Sequence, residues 1–478
     1  MLPNLHVPAE VMSEVFQYCS PSDLAAASRV SQSWRRTTFF QLHREISIET
    51  LPHLEALISR LELEEADHDL QIGPCLRTLI VNPDLDHSIN HTDNTDDVVV
   101  KCPWLRLKDD ELLCNRFFSV IPKLIRLEEL VWLVDSNTYR APDLFIRFRD
   151  ACPKLELLNV ATSEWLQHSS GVFLFIRQVL ASENWTDLAI DLSLGGGDTP
   201  AALNQMSAMI EQLPGLVNLT LKLPGKPFVV DFLCQLQNPL SKLQSLSLEG
   251  EWPERKRDIN SMSEDSLGSF FRRHPNLTKV SLRWNPRLIP EVVPPADPAL
   301  MSSLFPSITS FSGPINYCMG LVASNVAERL VELEVDRMID TFELDGETNP
   351  IPMLVKMARP LPNLKRLDFD RHYTRTRAHG GPYYVDETIL NNMLAITPAL
   401  TQLCTGFFTG KWETFLQPLR HVPHLAQLTT VVAHGFPEGS AYSEAAHAEF
   451  MQMVEKKFQV LCPDIKLDLH LVEEHHTP

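Results

Sequence analysis

Residues 243–248 read Leu-Gln-Ser-Leu-Ser-Leu, and this stretch decides the fold. Its apolar positions have the spacing L-x-x-L-x-L, which recurs along the 478-residue chain, with successive copies mostly 22–36 residues apart. Strong copies begin at Leu76, Leu127, Leu155, Trp185, Leu216, Leu277, Leu330 and Leu364, and weaker ones at Ile308, Leu400 and Leu425. The longer interval from Leu76 to Leu127 indicates an insertion or a degenerate copy. A repeat of this kind predicts structural units that pack only against their neighbours.

Helical stretches separate these copies. Leu203, Met206, Ile210 and Leu213 fall on one face of such a helix. Each helix runs into a proline, which cannot continue the helix and holds the preceding residue extended, so the chain enters the next strand. Short strands alternating with helices predict an α/β fold, a leucine-rich-repeat solenoid over residues 47–478, closed by a strand over residues 465–471. The alternative is a doubly wound α/β enzyme, whose strands would read as continuous apolar runs.

Residues 1–46 differ from the repeats and predict three short helices. Val11, Val15, Phe16 and Cys19 lie on the apolar side of the first helix. Ser20 and Ser31 stand at positions where a serine would cap the second and third helices. So few residues cannot bury their own apolar side chains, so we expect this segment to dock on something else.

The spacing Val7-Pro8-x-Glu10-Val11-x-x-x-Val15-Phe16, followed by Leu24 and then by Val30-Ser31-x-x-Trp34, resembles the F-box. With leucine-rich repeats behind it, the chain resembles the F-box proteins of mushroom-forming fungi. The resemblance implies that the module binds a Skp1-like adaptor and, through it, a cullin ligase of the SCF type. The residues implied in adaptor binding are Val7, Pro8, Val11, Val15, Phe16, Leu24, Val30 and Trp34. The alternative is a scaffold unconnected to a ligase, in which these helices only cap the open end of the solenoid.

Composition narrows the partners and the compartment. The chain has 42 basic and 61 acidic residues, a net charge of −19, which disfavours nucleic acid and anionic membranes as partners. No apolar run approaches the roughly 20 residues that a membrane helix needs. The N-terminus lacks the pattern of a secretory signal, and the nine cysteines form no CxxC pair. We therefore expect reduced thiols and a location in the cytoplasm or the nucleus.

No catalytic motif stands out in the sequence. There is no G-x-S-x-G, no phosphate-binding P-loop and no H-E-x-x-H. The glycines at 195–197 favour a turn, the acidic residues at 84–97 a solvated insertion, and His475 and His476 a polar tail. We expect no enzyme activity, no cofactor and no metal site.

Recognition of a protein client is expected on the outward-facing strand positions between the core leucines. Two late strands and the loop after them supply the candidates: Glu332, Glu334, Asp336, Arg366, Asp368, Asp370, Arg371, Arg375 and Arg377. The acids favour a basic client, whereas the arginines of the loop 371–381 favour a phosphate or carboxylate. The alternatives are a merely solvated sheet face and a loop that only neutralises the neighbouring acids.

Overall fold

The computed structural model describes fourteen segments of the chain. They are residues 9–64, 70–81, 111–134, 144–162, 185–191, 199–223, 229–250, 266–284, 295–336, 351–369, 387–408, 417–422, 424–433 and 444–472. The chain divides into two compact units, residues 1–227 and residues 228–478.

The first unit begins with three short helices, α1 (Ala9–Phe16), α2 (Pro21–Ala27) and α3 (Gln32–Leu42). The side chain of Ser20 accepts a hydrogen bond from the Asp23 backbone N–H, and the Asp23 carboxylate accepts one from the Ser20 N–H. This reciprocal capping box satisfies two backbone donors that the start of α2 would otherwise leave free. Ser31 caps α3 by accepting from the Trp34 N–H at 3.1 Å. The predicted helices and their serine caps are confirmed.

Strands and helices then alternate through the rest of the first unit. Its strands are β1 (Glu45–Ile48), β2 (Thr78–Val81), β3 (Glu129–Val134), β4 (Leu157–Thr162), β5 (Asp187–Asp191) and β6 (Asn218–Leu223). Its further helices are α4 (Leu51–Glu62), α5 (Glu111–Val120), α6 (Leu144–Ala151) and α7 (Thr199–Ile210), with a 3-10 turn at Ile121–Lys123.

The second unit repeats the alternation. Its strands are β7 (Ser245–Gly250), β8 (Lys279–Trp284), β9 (Ser310–Pro314), β10 (Glu332–Asp336), β11 (Arg366–Asp368), β12 (Gln402–Phe408), β13 (Gln427–Ala433) and β14 (Lys466–Val472). Its helices are α8 (Val229–Gln235), α9 (Ser266–Arg273), α10 (Pro298–Leu304), α11 (Ile315–Ala323), α12 (Ile351–Met357), α13 (Glu387–Ile396) and α14 (Glu444–Leu461). The 3-10 turns are Ala327–Arg329 and Pro418–His421.

Parallel pairing aligns the repeat leucines within each unit. In the first unit Leu79, Leu130, Leu158, Leu188 and Leu219 share one register row. In the second unit the row is Leu246, Val280, Phe311, Leu333, Leu367, Leu403 and Leu428. Every one of these side chains is at most 2% exposed. One buried position per strand, stacked from copy to copy, confirms the α/β leucine-rich-repeat fold.

Two details of the repeats go beyond the spacing. β2 pairs directly with β3, with Thr78 opposite Glu129, so the long interval between the copies at Leu76 and Leu127 is an insertion between adjacent strands. β1 adds a strand ahead of the first predicted copy and pairs with β2. The expected division between residues 46 and 47 thus falls inside β1.

Six helices are followed, within a few residues, by a proline whose preceding residue is buried. The residues before these prolines are Cys152, Leu213, His274, Phe305, Thr397 and Cys462, and none is more than 4% exposed. The chain turns into the next strand at a point that also contributes to the core. His274 is the most polar member of this set.

Candidate protein-interaction surfaces

The three N-terminal helices enclose a very small core. Phe16, Leu24 and Phe39 are 4%, 5% and 8% exposed. The Phe16 ring meets the Trp34 ring edge to face, with 5.5 Å between the centroids, and this contact joins α1 to α3. The Thr38 hydroxyl, also buried, donates to the Trp34 carbonyl at 2.9 Å. This core holds the helices together but leaves most of their apolar surface uncovered.

Six large apolar side chains of this module remain in solvent, and we call them the exposed apolar set. They are Val11, Val15, Tyr18, Val30, Trp34 and Phe40, between 36% and 88% exposed. Val11 and Val15 stand four residues apart on α1 and therefore share a face. Among the described residues these six make up half of the twelve large apolar side chains that are exposed. Such a concentration in one small module is typical of a surface that a partner covers.

Two residues implied in adaptor binding are buried within the module. Phe16 and Leu24 pack in its core, at 4% and 5% exposure, and position the helices, so their contact with an adaptor stays a prediction. Val11, Val15, Val30 and Trp34 are exposed as a contact surface requires. Val7 and Pro8 lie outside the described residues. Tyr18 and Phe40 were missed by the sequence analysis, although the aromatic character of both was a signal.

The outward face of the late strands is less acidic than its sequence indicates. Glu332 accepts a hydrogen bond from the Ser310 hydroxyl at 2.9 Å. Glu334 lies 3.5 Å from the Arg283 guanidinium, which reaches it from β8. Arg366 lies 3.1 Å from the Asp368 carboxylate on its own strand. The basic partners of the same face thus neutralise two of these three acids.

Asp368 departs from the expectation of an outward, accessible acid. It is 1% exposed, and its carboxylate accepts a hydrogen bond from the Arg366 guanidinium at 3.1 Å. Asp336 ends β10, opposite Pro314 of β9. Asp370, Arg371, Arg375 and Arg377 lie outside the described residues. The structure therefore brings together Glu332, Glu334, Arg366 and Asp368 on adjacent strands.

Two serines on this face were not among the predicted site residues. Ser281 of β8 and Ser312 of β9 stand opposite each other in the register and are 9% and 8% exposed. Within the segments that the structure describes, neither hydroxyl has a hydrogen-bond partner. A shielded hydroxyl without a partner costs free energy, and a ligand that lies on the face and bonds to it recovers that free energy.

Nothing in the described residues resembles a reaction centre. No cluster of His, Cys, Asp or Glu there could hold a metal ion. The eight described cysteines form no disulfide with one another. Burial raises the pKa of Cys75 to about 11 and of Cys152 to about 12, so both thiols are protonated. Across the same segments, no helix combines the length and the hydropathy that a membrane crossing requires.

Comparison with known proteins supports the module and adds little on the repeats. Residues 5–49 match the F-box-like family, a match confined to the N-terminal helices and β1. No curated protein matches the chain. Among solved structures, the chain is similar to an internalin from Listeria monocytogenes, with 13% identity, coverage of 89% of both chains and a TM-score of 0.29. An F-box-like module followed by leucine-rich repeats is an arrangement for protein interaction.

Proposed function

We propose that this protein is the substrate-recognition subunit of an SCF-type ubiquitin ligase, of the kind that its sequence resembles in fungi. Its N-terminal helices bind a Skp1-like adaptor, and through it a cullin ligase, while the repeats bind a protein client. The observation that carries the proposal is the exposed apolar set, which lies within residues 5–49, the segment that matches the F-box-like family. The chain itself performs no chemistry and acts by raising the local concentration of the client beside the ligase.

The free energy that the exposed apolar side chains would gain on burial supports the binding of an adaptor by this module. A side chain of the size of Val or Phe gains about 1.5–3 kcal/mol when it passes from full exposure to full burial. Val15 and Val30 are 53% and 65% exposed, so a substantial part of that gain is still to be realised. Trp34 is anchored by Phe16 on one side and exposed on the other, which is the environment of a binding hot spot. A helical cap docked on the solenoid would bury these side chains within the chain.

Binding to a purified Skp1-like adaptor tests the first half of the proposal. The variant Val15→Asp places a charge in the exposed apolar set without touching the core of the module. The matched control is Val460→Asp on α14, where the valine is 77% exposed. We expect the wild type and the control to retain the adaptor and Val15→Asp to lose at least about tenfold in affinity. Failure of the wild type to bind any Skp1-like adaptor would sink the ligase hypothesis in favour of a plain scaffold.

For the client, we propose the outward face of β8–β11 as the contact surface. The partly neutralised acids and the two partnerless serine hydroxyls favour recognition through hydrogen bonds together with charge. Ser312→Arg fills the centre of this face, whereas Arg375→Glu alters the basic loop. If a protein binds the wild type but no longer binds the Ser312→Arg variant, and still binds Arg375→Glu, the client-binding surface is the sheet face. Loss only with Arg375→Glu assigns recognition to the loop and contradicts the sheet proposal.

A further inference from the structure

A cleft in the first unit is a candidate for a second binding site. It has a volume of about 390 Å³ and lies where the end of α3 meets the amino ends of β1–β3. Its walls are partly apolar, from Phe40 and Pro74, and otherwise dominated by three arginines and a glutamate: Arg44, Arg77, Arg126 and Glu128. Neither the F-box-like match nor the repeat pattern accounts for this composition.

The backbone places two of these arginines side by side. Arg44, Arg77 and Glu128 each stand directly before their strand. The N–H groups of Arg77 and Thr78 both donate to the Arg44 carbonyl, at 2.7 and 3.0 Å. The N–H groups of Glu128 and Glu129 donate in the same way to the Arg77 carbonyl, at 2.8 and 2.9 Å. The three residues therefore stand in one row across strands about 4.8 Å apart, a spacing at which like charges destabilise each other.

The single acid of the cleft does not balance this charge. Glu128 forms an ion pair with Arg77. Arg44 and Arg126 are exposed, and within the described segments neither forms an ion pair. Cys75, which also lines the cleft, is a protonated thiol and adds no negative charge, because burial raises its pKa to about 11. The cleft is thus a locally basic site on a chain whose net charge is −19.

We propose that this cleft binds an oxyanion, a phosphate or carboxylate group, between the Arg44 and Arg126 guanidiniums. A guanidinium presents parallel N–H donors that match two oxygens of either group, and charge-assisted bonds of this kind are the stronger class of hydrogen bond. The anion also relieves the repulsion between the neighbouring Arg44 and Arg77 side chains. Phe40, 53% exposed, offers an apolar wall to the carbon body that carries the anionic group. The cleft shares Phe40 with the exposed apolar set, but neither arginine belongs to that set, so the arginine variants test the cleft without altering the proposed adaptor surface.

Isothermal titration of the full chain with inorganic phosphate, and separately with acetate, tests the proposal at constant ionic strength. We expect saturable binding of at least one anion to the wild type. Arg44→Gln combined with Arg126→Gln should raise Kd at least about tenfold. The matched control, Arg29→Gln with Arg35→Gln, removes the same charge from two exposed arginines outside the cleft and should leave Kd within about twofold. Binding of phosphate alone assigns the site to phosphoryl groups, and binding of acetate alone assigns it to carboxylates.

Two results would overturn the assignment. One is the absence of saturable binding of either anion to the wild type. The other is an equal loss in the cleft variant and the control, which would mean that the anion responds only to diffuse charge. The charge-preserving pair Arg44→Lys with Arg126→Lys guards against a folding defect, because it keeps the local charge and removes the planar fork. We expect it to bind more weakly than the wild type and more tightly than the glutamine pair.

Discussion

Substitution of His274 by leucine should destabilise the second unit although the position is almost entirely buried. His274 directly follows the last residue of α9 and is 2% exposed, at the point where other repeats carry Leu213 or Phe305. Its Nε2 accepts a hydrogen bond from the Leu240 N–H at 2.9 Å, and its Nδ1 lies 2.7 Å from the Phe270 carbonyl, to which it donates. The imidazole therefore supplies an acceptor that no apolar side chain can replace.

The expected loss in the free energy of unfolding follows from the two interactions that the leucine cannot make. The buried Leu240 N–H loses its acceptor, which costs about 1–3 kcal/mol. The stacked contact with Phe270, 4.1 Å between ring centroids, is worth about 0.5–1.5 kcal/mol. Leucine recovers part of this through its own burial, so we expect a net loss of about 1–3 kcal/mol in the free energy of unfolding. Urea unfolding followed by far-UV circular dichroism at about pH 7.5 measures it.

The same histidine should make stability depend on pH. Burial lowers the pKa of His274 below its ordinary value of 6.5, with the Arg273 charge acting in the same direction and the Phe270 bond against it. Below pH 6.5 the unfolded chain then binds more protons than the folded chain at this group. The stabilisation by neutral His274 is full above pH 6.5 and falls on acidification towards the folded pKa, by at most about 1.4 kcal/mol per pH unit.

The His274→Leu variant isolates this contribution, because it lacks the titrating group. The stability difference between wild type and variant should shrink between about pH 7.5 and pH 5.5. Equal stability of the two proteins at pH 7.5 would refute the hydrogen-bond account. A difference that stays constant on acidification would refute the lowered pKa.

Three further predictions concern other local features of the chain. Gly320→Ala should lower the free energy of unfolding by about 1–3 kcal/mol, since a Cβ there would lie 2.7 Å from the Ala296 carbonyl oxygen. The exposed control Asn391→Ala in α13 should gain several tenths of a kcal/mol in the same urea titration. Ser20→Ala should cost about 1 kcal/mol in the N-terminal module by removing the capping box, seen as faster amide exchange in α2; unchanged exchange would contradict it. Cys152, with a pKa of about 12, should resist alkylation at about pH 8 until the chain is unfolded, and rapid labelling of the native protein would contradict this.

The repeat spacing predicted most of the fold because the burial of apolar side chains constrains the sequence within each repeat. Each L-x-x-L-x-L copy needs its apolar positions buried, so even the weak copies at Ile308, Leu400 and Leu425 mark strands β9, β12 and β13. β1 escaped the pattern because its only apolar residues are Ile46 and Ile48, without the leading leucine. Pairing with β2 makes it a strand, and that pairing is invisible in a four-residue segment.

The interaction surfaces were only partly predictable. The F-box spacing identified Val15 and Trp34 as surface residues, but the same spacing includes Phe16, which the module buries. A family motif marks the positions that folding and binding both require. It does not distinguish the residues that face a partner from those that form the core. The acids of the late strands were found from alternation alone, whereas the neutralisation of Glu334 by Arg283 depends on a strand about fifty residues earlier in the chain.

The sequence by itself determined the class of fold, the helical module ahead of the repeats and the absence of a recognisable catalytic motif. These follow from periodicity, caps and prolines, which act over a few residues. Only the tertiary structure decided which polar groups lie near one another. Ser281 stands opposite Ser312, His274 bonds to the Leu240 backbone N–H, and Arg44, Arg77 and Arg126 line one cleft. Parallel strands bring together residues about thirty to fifty positions apart, and the register that aligns them is set by burial of the leucines on the opposite face. The hydrophobic periodicity therefore determines the fold, and the strand register determines which residues come together at each candidate site.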